Sequence, residues 1–367
     1  MRKTVTDMNE PLFRIVKNEN MSLKGKIIVR AAALILALLV CGIVITLITG
    51  YNPLTVYETM AQGAFGTKTR TWSTLKEMLM LSCIAIGLAP AFRMKFWNIG
   101  AEGQILIGGI VSAGCMIYLA GMGNVGLFIL MFVLSALAGA LWALLPAVFK
   151  ARFNTNETLF TLMMNYVAIQ LTSYFVAKWE NPIGSNTVGV INQNGHEGWF
   201  PKIFGTQYFI SLVIVLILAV FMHIYLRYTK HGYEIAVVGE SENTARYAGI
   251  SVPRVIIRTV LLSGAICGTA GFMAVAGASH TISTSTAGGR GFTAIIVAWL
   301  AKFDSATMIL ISLLLAFLNS GSSEIASKCH LNDFASKIVI GIILFFILGS
   351  EFFINYKPVF GKKGEKQ

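Results

Sequence analysis

Two ionisable residues stand in matching glycine settings beside apolar runs. Glu102 lies in N-I-G-A-E-G-Q-I-L-I-G (98–108) and Arg290 in A-G-G-R-G-F-T-A-I-I-V (287–297), each in the third place of G-x-charge-G. An ionisable group at a membrane span points to function unless it snorkels to the headgroups, and both positions are close enough to span ends for snorkelling to be the rival. Gly100, Gly103, Gly108 and Gly109 in one segment, and Gly288, Gly289 and Gly291 in the other, permit close backbone approach or a turn at membrane depth, with plain helix packing as the alternative. Around them Asn98, Gln104, Asn165, Tyr166, Gln170 and Thr293 supply amides and hydroxyls. Such groups suit a neutral polar solute with ring faces and hydroxyls.

Other chemistries lack their residues. There is no G-x-x-x-x-G-K-S/T phosphate loop, so ATP hydrolysis by that route is excluded, and no H-E-x-x-H. The histidines at 196, 223, 231, 280 and 330 share no ligand spacing, and no Ser or Cys sits in a nucleophile elbow. Cys41, Cys83, Cys115, Cys267 and Cys329 are widely separated, and the first four read as small apolar packing residues. Within the apolar runs no Asp, Lys or His lies deep except His223 near one end, which argues against a proton relay.

The elements that must position these groups are membrane helices. With 55% hydrophobic and 13% charged residues, the chain lies outside the soluble range and reads as an all-α polytopic membrane protein. About ten spans are expected, at 27–49, 73–92, 98–120, 124–148, 157–177, 207–226, 255–276, 288–301, 305–320 and 336–354. The first run follows a polar arm with no small-residue cleavage signal and reads as a retained helix. With both termini cytoplasmic, most of the 29 basic residues fall in inner segments, and the net charge of +12 reports orientation and contact with anionic lipid, without nucleic acid. The expected organisation is an arm at 1–26, a transmembrane domain at 27–354 and a basic tail at 355–367.

The paired glycine motifs, with capping pairs Asn156-Glu157 and Asn332-Asp333, suggest two five-span repeats at about 27–177 and 207–354. An odd number of spans per repeat inverts the second copy, an architecture whose sites lie where short or glycine-interrupted helices meet.

Between the sixth and seventh runs lies a polar island, Arg227 to Arg258, with its loop at about 227–254. Ser241 to Gly249 reads as a short helix: Ser241 caps it, Glu240 and Glu242 suit its start, Gly249 its end, and Pro253 separates it from the next span. Arg246 and Tyr247 are its natural contact residues, with a seat on lipid headgroups as the alternative.

The stretch A-V-V-G-E-S-E-N-T-A-R-Y-A-G-I-S (236–251) resembles the ATPase-coupling loop of permease subunits of bacterial ABC importers, in the branch handling ribose, branched-chain amino acids and nucleosides. N-I-G-A-E-G-Q (98–104), N-E-T-L-F-T-L-M-M-N-Y (156–166) and G-R-G-F-T-A-I-I-V-A (289–298) look like markers of its nucleoside-type members. The resemblance implies a translocation subunit in the bacterial plasma membrane. Its implied partners are an ABC ATPase, a second and different permease, and an extracellular substrate-binding lipoprotein. ATP and magnesium would be bound by the partner ATPase, so this chain is not itself an enzyme and carries no cofactor and no metal. Gly239, Glu240, Asn243, Ala245, Arg246, Tyr247 and Gly249 would form the coupling helix. Asn98, Gly100, Glu102, Gln104, Asn165, Tyr166, Gly288, Arg290, Phe292 and Thr293 would lie on or beside the solute path. The chain departs from the family pattern after G-x-G-F, where Trp299 and Lys302-Phe303-Asp304 replace a small-residue helix. A ribose or other sugar permease is the nearest alternative, and an ion-coupled secondary transporter a further one. The outer loop from Lys178 to Thr206, with Trp179, Pro182, His196, Trp199 and Phe200, is expected to meet the capture protein, with membrane-interface anchoring as its rival.

Overall fold

A computed structural model describes residues 13–17, 22–328 and 333–360. In chain order its elements are β1 (Phe13–Lys17), α1 (Leu23–Thr49), α2 (Pro53–Phe65), α3 (Lys68–Arg93), α4 (Ala101–Tyr118), α5 (Asn124–Phe153) and α6 (Glu157–Lys178). There follow α7 (Phe209–Tyr228), α8 (Lys230–Glu240), α9 (Glu242–Tyr247), α10 (Val252–Ala274), α11 (Arg290–Leu300), α12 (Ser305–Lys328), α13 (Asp333–Asn355) and β2 (Tyr356–Phe360). The chain forms two compact units, one of residues 1–66 and 318–367, the other of 67–317, so the division falls within α12.

The ten expected runs are all helical. Among the described residues eight helices are long and apolar enough to cross a membrane: those of α1, α3, α4, α5, α6, α7, α10 and α12. The run at 288–301 becomes the 11-residue α11, about 16 Å long at helical rise and too short to cross. Its length is set by its ends, because Gly288 and Gly289 take left-handed backbone before it, and Lys302 and Phe303 do so after it. Among the described residues α13 carries a further apolar stretch, Ile340–Asn355. Helices α2 and α8 were not anticipated. The all-α expectation is also modified by β1 and β2, which pair antiparallel with Phe13 opposite Phe360 and Lys17 opposite Tyr356. That pairing brings the two ends of the described chain together. Most of the arm, Cys329, His330, Asn332 and the last seven residues lie outside the described residues.

In the larger unit α10 is the packing centre, against α3, α4 and α5. Glycine permits this closeness: a Cβ on Gly268 would lie 2.2 Å from the Ser135 carbonyl oxygen, and one on Gly108 would lie 2.3 Å from the Gly268 carbonyl oxygen. Small residues where three helices meet are the membrane solution to packing, since backbone proximity replaces the hydrophobic drive that lipid removes. Cys83 and Cys267 are fully buried in this core and unbridged.

In the smaller unit α1 packs on α13, and Arg30 pairs with Glu351. There α2 crosses the end of α12 at two glycines, Gly63 against Glu324 and Gly321 against Met60.

Candidate functional site

The starts of α4 and α11 meet. After α3, Lys95 takes left-handed backbone and Phe96 donates its amide to the Ala91 carbonyl, turning the chain into the segment 96–100 that leads to α4. From the first turn of α4 the Glu102 carboxylate reaches the start of α11, where one oxygen accepts the Gly289 amide at 2.6 Å and the other the Gly291 amide at 2.8 Å. A carboxylate on the free amides of a helix N-terminus satisfies donors that have no intrahelical partner and meets the positive end of the helix dipole. A Cβ on Gly291 would sit 2.6 Å from the Glu102 amide nitrogen, so glycine is what lets the two helix starts touch.

Arg290 does not pair with Glu102. Its guanidinium bonds Glu77 of α3 through Nε at 2.9 and 3.0 Å and Nη2 at 2.8 Å, and donates from Nη1 to the Thr286 carbonyl at 3.1 Å. Such fork-on-carboxylate geometry fixes orientation as well as charge. Glu77 was not singled out from the sequence, where it stands beside Lys76 at the head of an apolar run.

The amides form the scaffold of this junction. Asn98 is fully buried, donating to Ser263 at 3.2 Å, exchanging bonds with Gln104 and accepting the Gly100 amide at 3.1 Å. Asn165 of α6 accepts the Gly103 amide at 2.8 Å and donates to the Ile99 carbonyl at 2.9 Å. Asn98, Gln104 and Asn165 therefore hold protein partners, and Gly100 and Glu102 are buried beside them. The side chains that face outward are others: Tyr166 is 59% exposed, Phe292 and Gly288 are exposed, and Thr293 is half-buried with its hydroxyl on the Gly289 carbonyl. Along α11, Phe292 and Trp299 mark an exposed face, and Trp299 stacks on Trp97 at 5.3 Å between ring centres. Ser263, Thr161, Trp97 and Trp299 complete the junction; only tertiary packing links them to it.

The polar island folds as two helices sharing one cap. Ser241 closes α8 and its hydroxyl accepts the Thr244 amide at 3.3 Å to open α9. The expected coupling helix is thereby shortened: Gly239 and Glu240 belong to the end of α8, while Asn243, Ala245, Arg246 and Tyr247 lie on α9 and Gly249, with positive φ, ends it. Ala245 is fully buried, and Asn243, Arg246 and Tyr247 point outward, Tyr247 being 93% exposed. Gly239 is buried against α3, where a Cβ would lie 2.2 Å from the Arg93 carbonyl oxygen. Glu234 of α8 pairs with Arg258 of α10 at 3.0 Å. Partial burial opposes its charge, but the bond and charge of Arg258, with His231 and Lys230, hold its carboxyl below the ordinary range. So α8 ties the exposed face of α9 to both α3 and α10.

On the opposite ends of α5 and α10 the long loop is strapped down. Ile191 donates to the His280 carbonyl at 2.8 Å, Phe200 to Ala276 at 3.0 Å, and Asn192 to Met116 at 2.8 Å. Trp199 stacks on His280 at 3.7 Å, and a cleft of about 750 Å³ opens beside them between Phe128, Phe200, Lys202 and Ile210. Pro182, Trp179 and His196 lie on this loop, but its most exposed apolar tips are Ile183 and Phe204. Among the described residues no group of His, Cys, Asp and Glu could hold a metal ion.

Comparison with known proteins extends this picture. The chain is 30% identical over 330 residues to the guanosine ABC transporter permease protein NupP of Bacillus subtilis, covering 88% of this chain and 93% of that one. It is 29% identical to the glucose ABC transporter permease protein TsgB13 of Haloferax volcanii, covering 77% and 78%. It is 27% identical to the nucleoside ABC transporter permease protein NupB of Lactococcus lactis, covering 88% and 90%. No solved structure matches. Residues 70–348 match the family described as branched-chain amino acid transport system / permease component, a stretch that holds the helix-start junction and the capped helix pair alike. This multi-pass membrane chain belongs to that family of transport permease components.

Proposed function

We propose that the chain is the translocation subunit of an ATP-binding cassette importer for nucleosides in the bacterial plasma membrane. The observation that carries this reading is the likeness to a guanosine permease along 93% of that protein's length. ATP and magnesium would be bound and used by a separate ATPase, with a second permease and an extracellular binding lipoprotein completing the assembly. With the termini cytoplasmic, α9 faces the ATPase, and Asn243, Arg246 and Tyr247 are its contacts. Motion imposed there passes through Gly239 and Arg93 to α3, and through Glu234 and Arg258 to α10. Rocking of the two inverted halves against each other would then alternate access.

On this reading the Glu102 junction holds the short helix α11 in place, and the exposed face of α11, with Phe292, Thr293 and Trp299, borders the path. Aromatic rings beside a hydroxyl fit a nucleobase and ribose. The likeness to a glucose permease supports a second reading, a sugar importer of the same construction. Reconstitution with the neighbouring subunits and measurement of ATP-dependent uptake of labelled guanosine, uridine and ribose separates the two. Nucleoside uptake that ribose does not compete supports the first; uptake of sugar alone overturns the solute assignment and leaves the coupling argument standing.

A further inference from the structure

A cationic cleft lies where α3, α7 and the turn between α11 and α12 come together. It encloses about 340 Å³, and Arg93, Arg227 and Lys302 line it with Met222, Phe303 and Asp304. The single carboxylate is already engaged: Asp304 Oδ2 accepts the Thr307 amide at 3.0 Å and its hydroxyl at 2.8 Å, capping α12. Those bonds, with the charge of Arg227, hold its carboxyl below the ordinary range. Arg93 uses one guanidinium hydrogen on the Leu226 carbonyl at 3.3 Å, which leaves most of its five donors for other acceptors. Among the described lining residues three cations and one capped carboxylate form a concave site suited to an anion. The turn that brings Lys302 in is unusual, with Lys302 and Phe303 both in left-handed backbone. Conformations of that cost persist where the surrounding structure demands them.

A second observation identifies the kind of anion. Along α7, Val213, Ile217, Val220 and Ile224 are outward-facing, and their spacing of four, three and four places them in one stripe. Three residues further, the same stripe ends in Arg227. An apolar track of about 17 Å at helical rise thus runs into a cluster of cations. A soluble anion has use for the cluster alone; a phospholipid has use for both parts.

We propose that this cleft binds the headgroup phosphate of an anionic phospholipid, with an acyl chain laid along the α7 stripe. The assignment rests on α7 being a membrane helix and not on the transported solute. Because Arg93 also seats Gly239 of α8, the bound lipid touches the segment proposed to transmit the ATPase stroke.

The test uses the full transporter, delipidated in detergent and then offered phosphatidylglycerol and phosphatidylcholine in equal amounts, with co-purifying lipid quantified by mass spectrometry. Wild type is expected to retain phosphatidylglycerol preferentially. Arg227→Gln with Lys302→Gln should lower that retention by roughly tenfold or more, since each basic group contributes about fivefold to anionic lipid binding. Arg227→Lys with Lys302→Arg keeps the charges and should keep the lipid, a control that guards against misfolding. Ile217→Ser with Ile224→Ser should lower phosphatidylglycerol retention while leaving the cations in place. Unchanged retention in the double glutamine variant overturns the site. Complete displacement by millimolar glycerol phosphate assigns it to a soluble anion and overturns the lipid. Loss of the ATPase subunit from the glutamine variant, with lipid retained, makes the cleft a protein contact and likewise overturns it.

Discussion

Glu102 and Gly291 touch across the starts of two helices, the carboxylate of one accepting the amide of the other at 2.8 Å with no room for a Cβ between them. This contact holds the short helix α11, which cannot cross a membrane, against α4, which can.

Gly291→Ala forces a methyl carbon to within 2.6 Å of the Glu102 amide nitrogen, an overpacking expected to cost about 1–3 kcal/mol. Glu102→Ala strips two amides of a charged acceptor, for about 1.5–3 kcal/mol. Both act on one junction, so the double variant should lose less than the sum. Thermal unfolding of the purified transporter reads all three, and a Gly291→Ala protein that melts with the wild type removes the junction as described.

Arg246 stands on the outward face of α9, where among the described residues only Glu242 pairs with it, at 3.5 Å. Arg246→Glu should therefore leave expression and melting temperature intact while ATP hydrolysis no longer drives uptake. Gly239→Ala acts from the buried side, pushing α8 off the Arg93 carbonyl, and should depress uptake together with stability. Normal uptake by Arg246→Glu refutes the contact role.

His280 lies just beyond the membrane span that ends at Ser279. Burial, with a smaller contribution from His196, pushes its imidazole down from 6.5 to about 4. The folded protein keeps this ring neutral where the unfolded chain would protonate it. Its contribution to stability is thus complete above about pH 6.5 and is lost progressively as pH falls toward about 4. Melting curves from pH 8 to 4.5 should show that decline, and His280→Asn, which accepts left-handed backbone, should flatten it. An unaltered slope in the variant assigns the acid sensitivity to other groups.

The outer loop is built into the protein through Ile191, Asn192 and Phe200, so deleting 189–198 would damage the fold as well as any docking surface. Its exposed tips offer a cleaner test: Ile183 is 93% exposed and Phe204 84%. Ile183→Glu with Phe204→Glu should weaken stimulation by the proposed binding lipoprotein at least several-fold, with basal ATPase activity and melting temperature unchanged. Full stimulation places the lipoprotein contact elsewhere.

Long apolar runs declared themselves along the chain, because burial in lipid demands about 20 apolar residues whatever the neighbours are. The short exposed helix α9 was legible for a similar reason: Ser241 and Gly249 are local cap signals whose effect reaches one turn. Helix α8 escaped notice because its apolar face, Ile235 and Val238, becomes a core face only when α3 and α10 lie against it. The expected path residues divided in the same way. Asn98, Gln104 and Asn165 were visible as polar residues near apolar runs, but their sequence could not show that they bond one another and the backbone. Glu77 drew no attention until folding set it beside Arg290, 213 residues away. Composition and local signals thus determined that the chain spans a membrane, where its long apolar helices run and which segment carries the exposed helix. Tertiary structure alone decided that Glu102 binds backbone amides, that Arg290 takes Glu77, and that cations from two helices and a turn share one cleft. Those choices depend on distances between residues far apart in the chain, which local propensity does not encode.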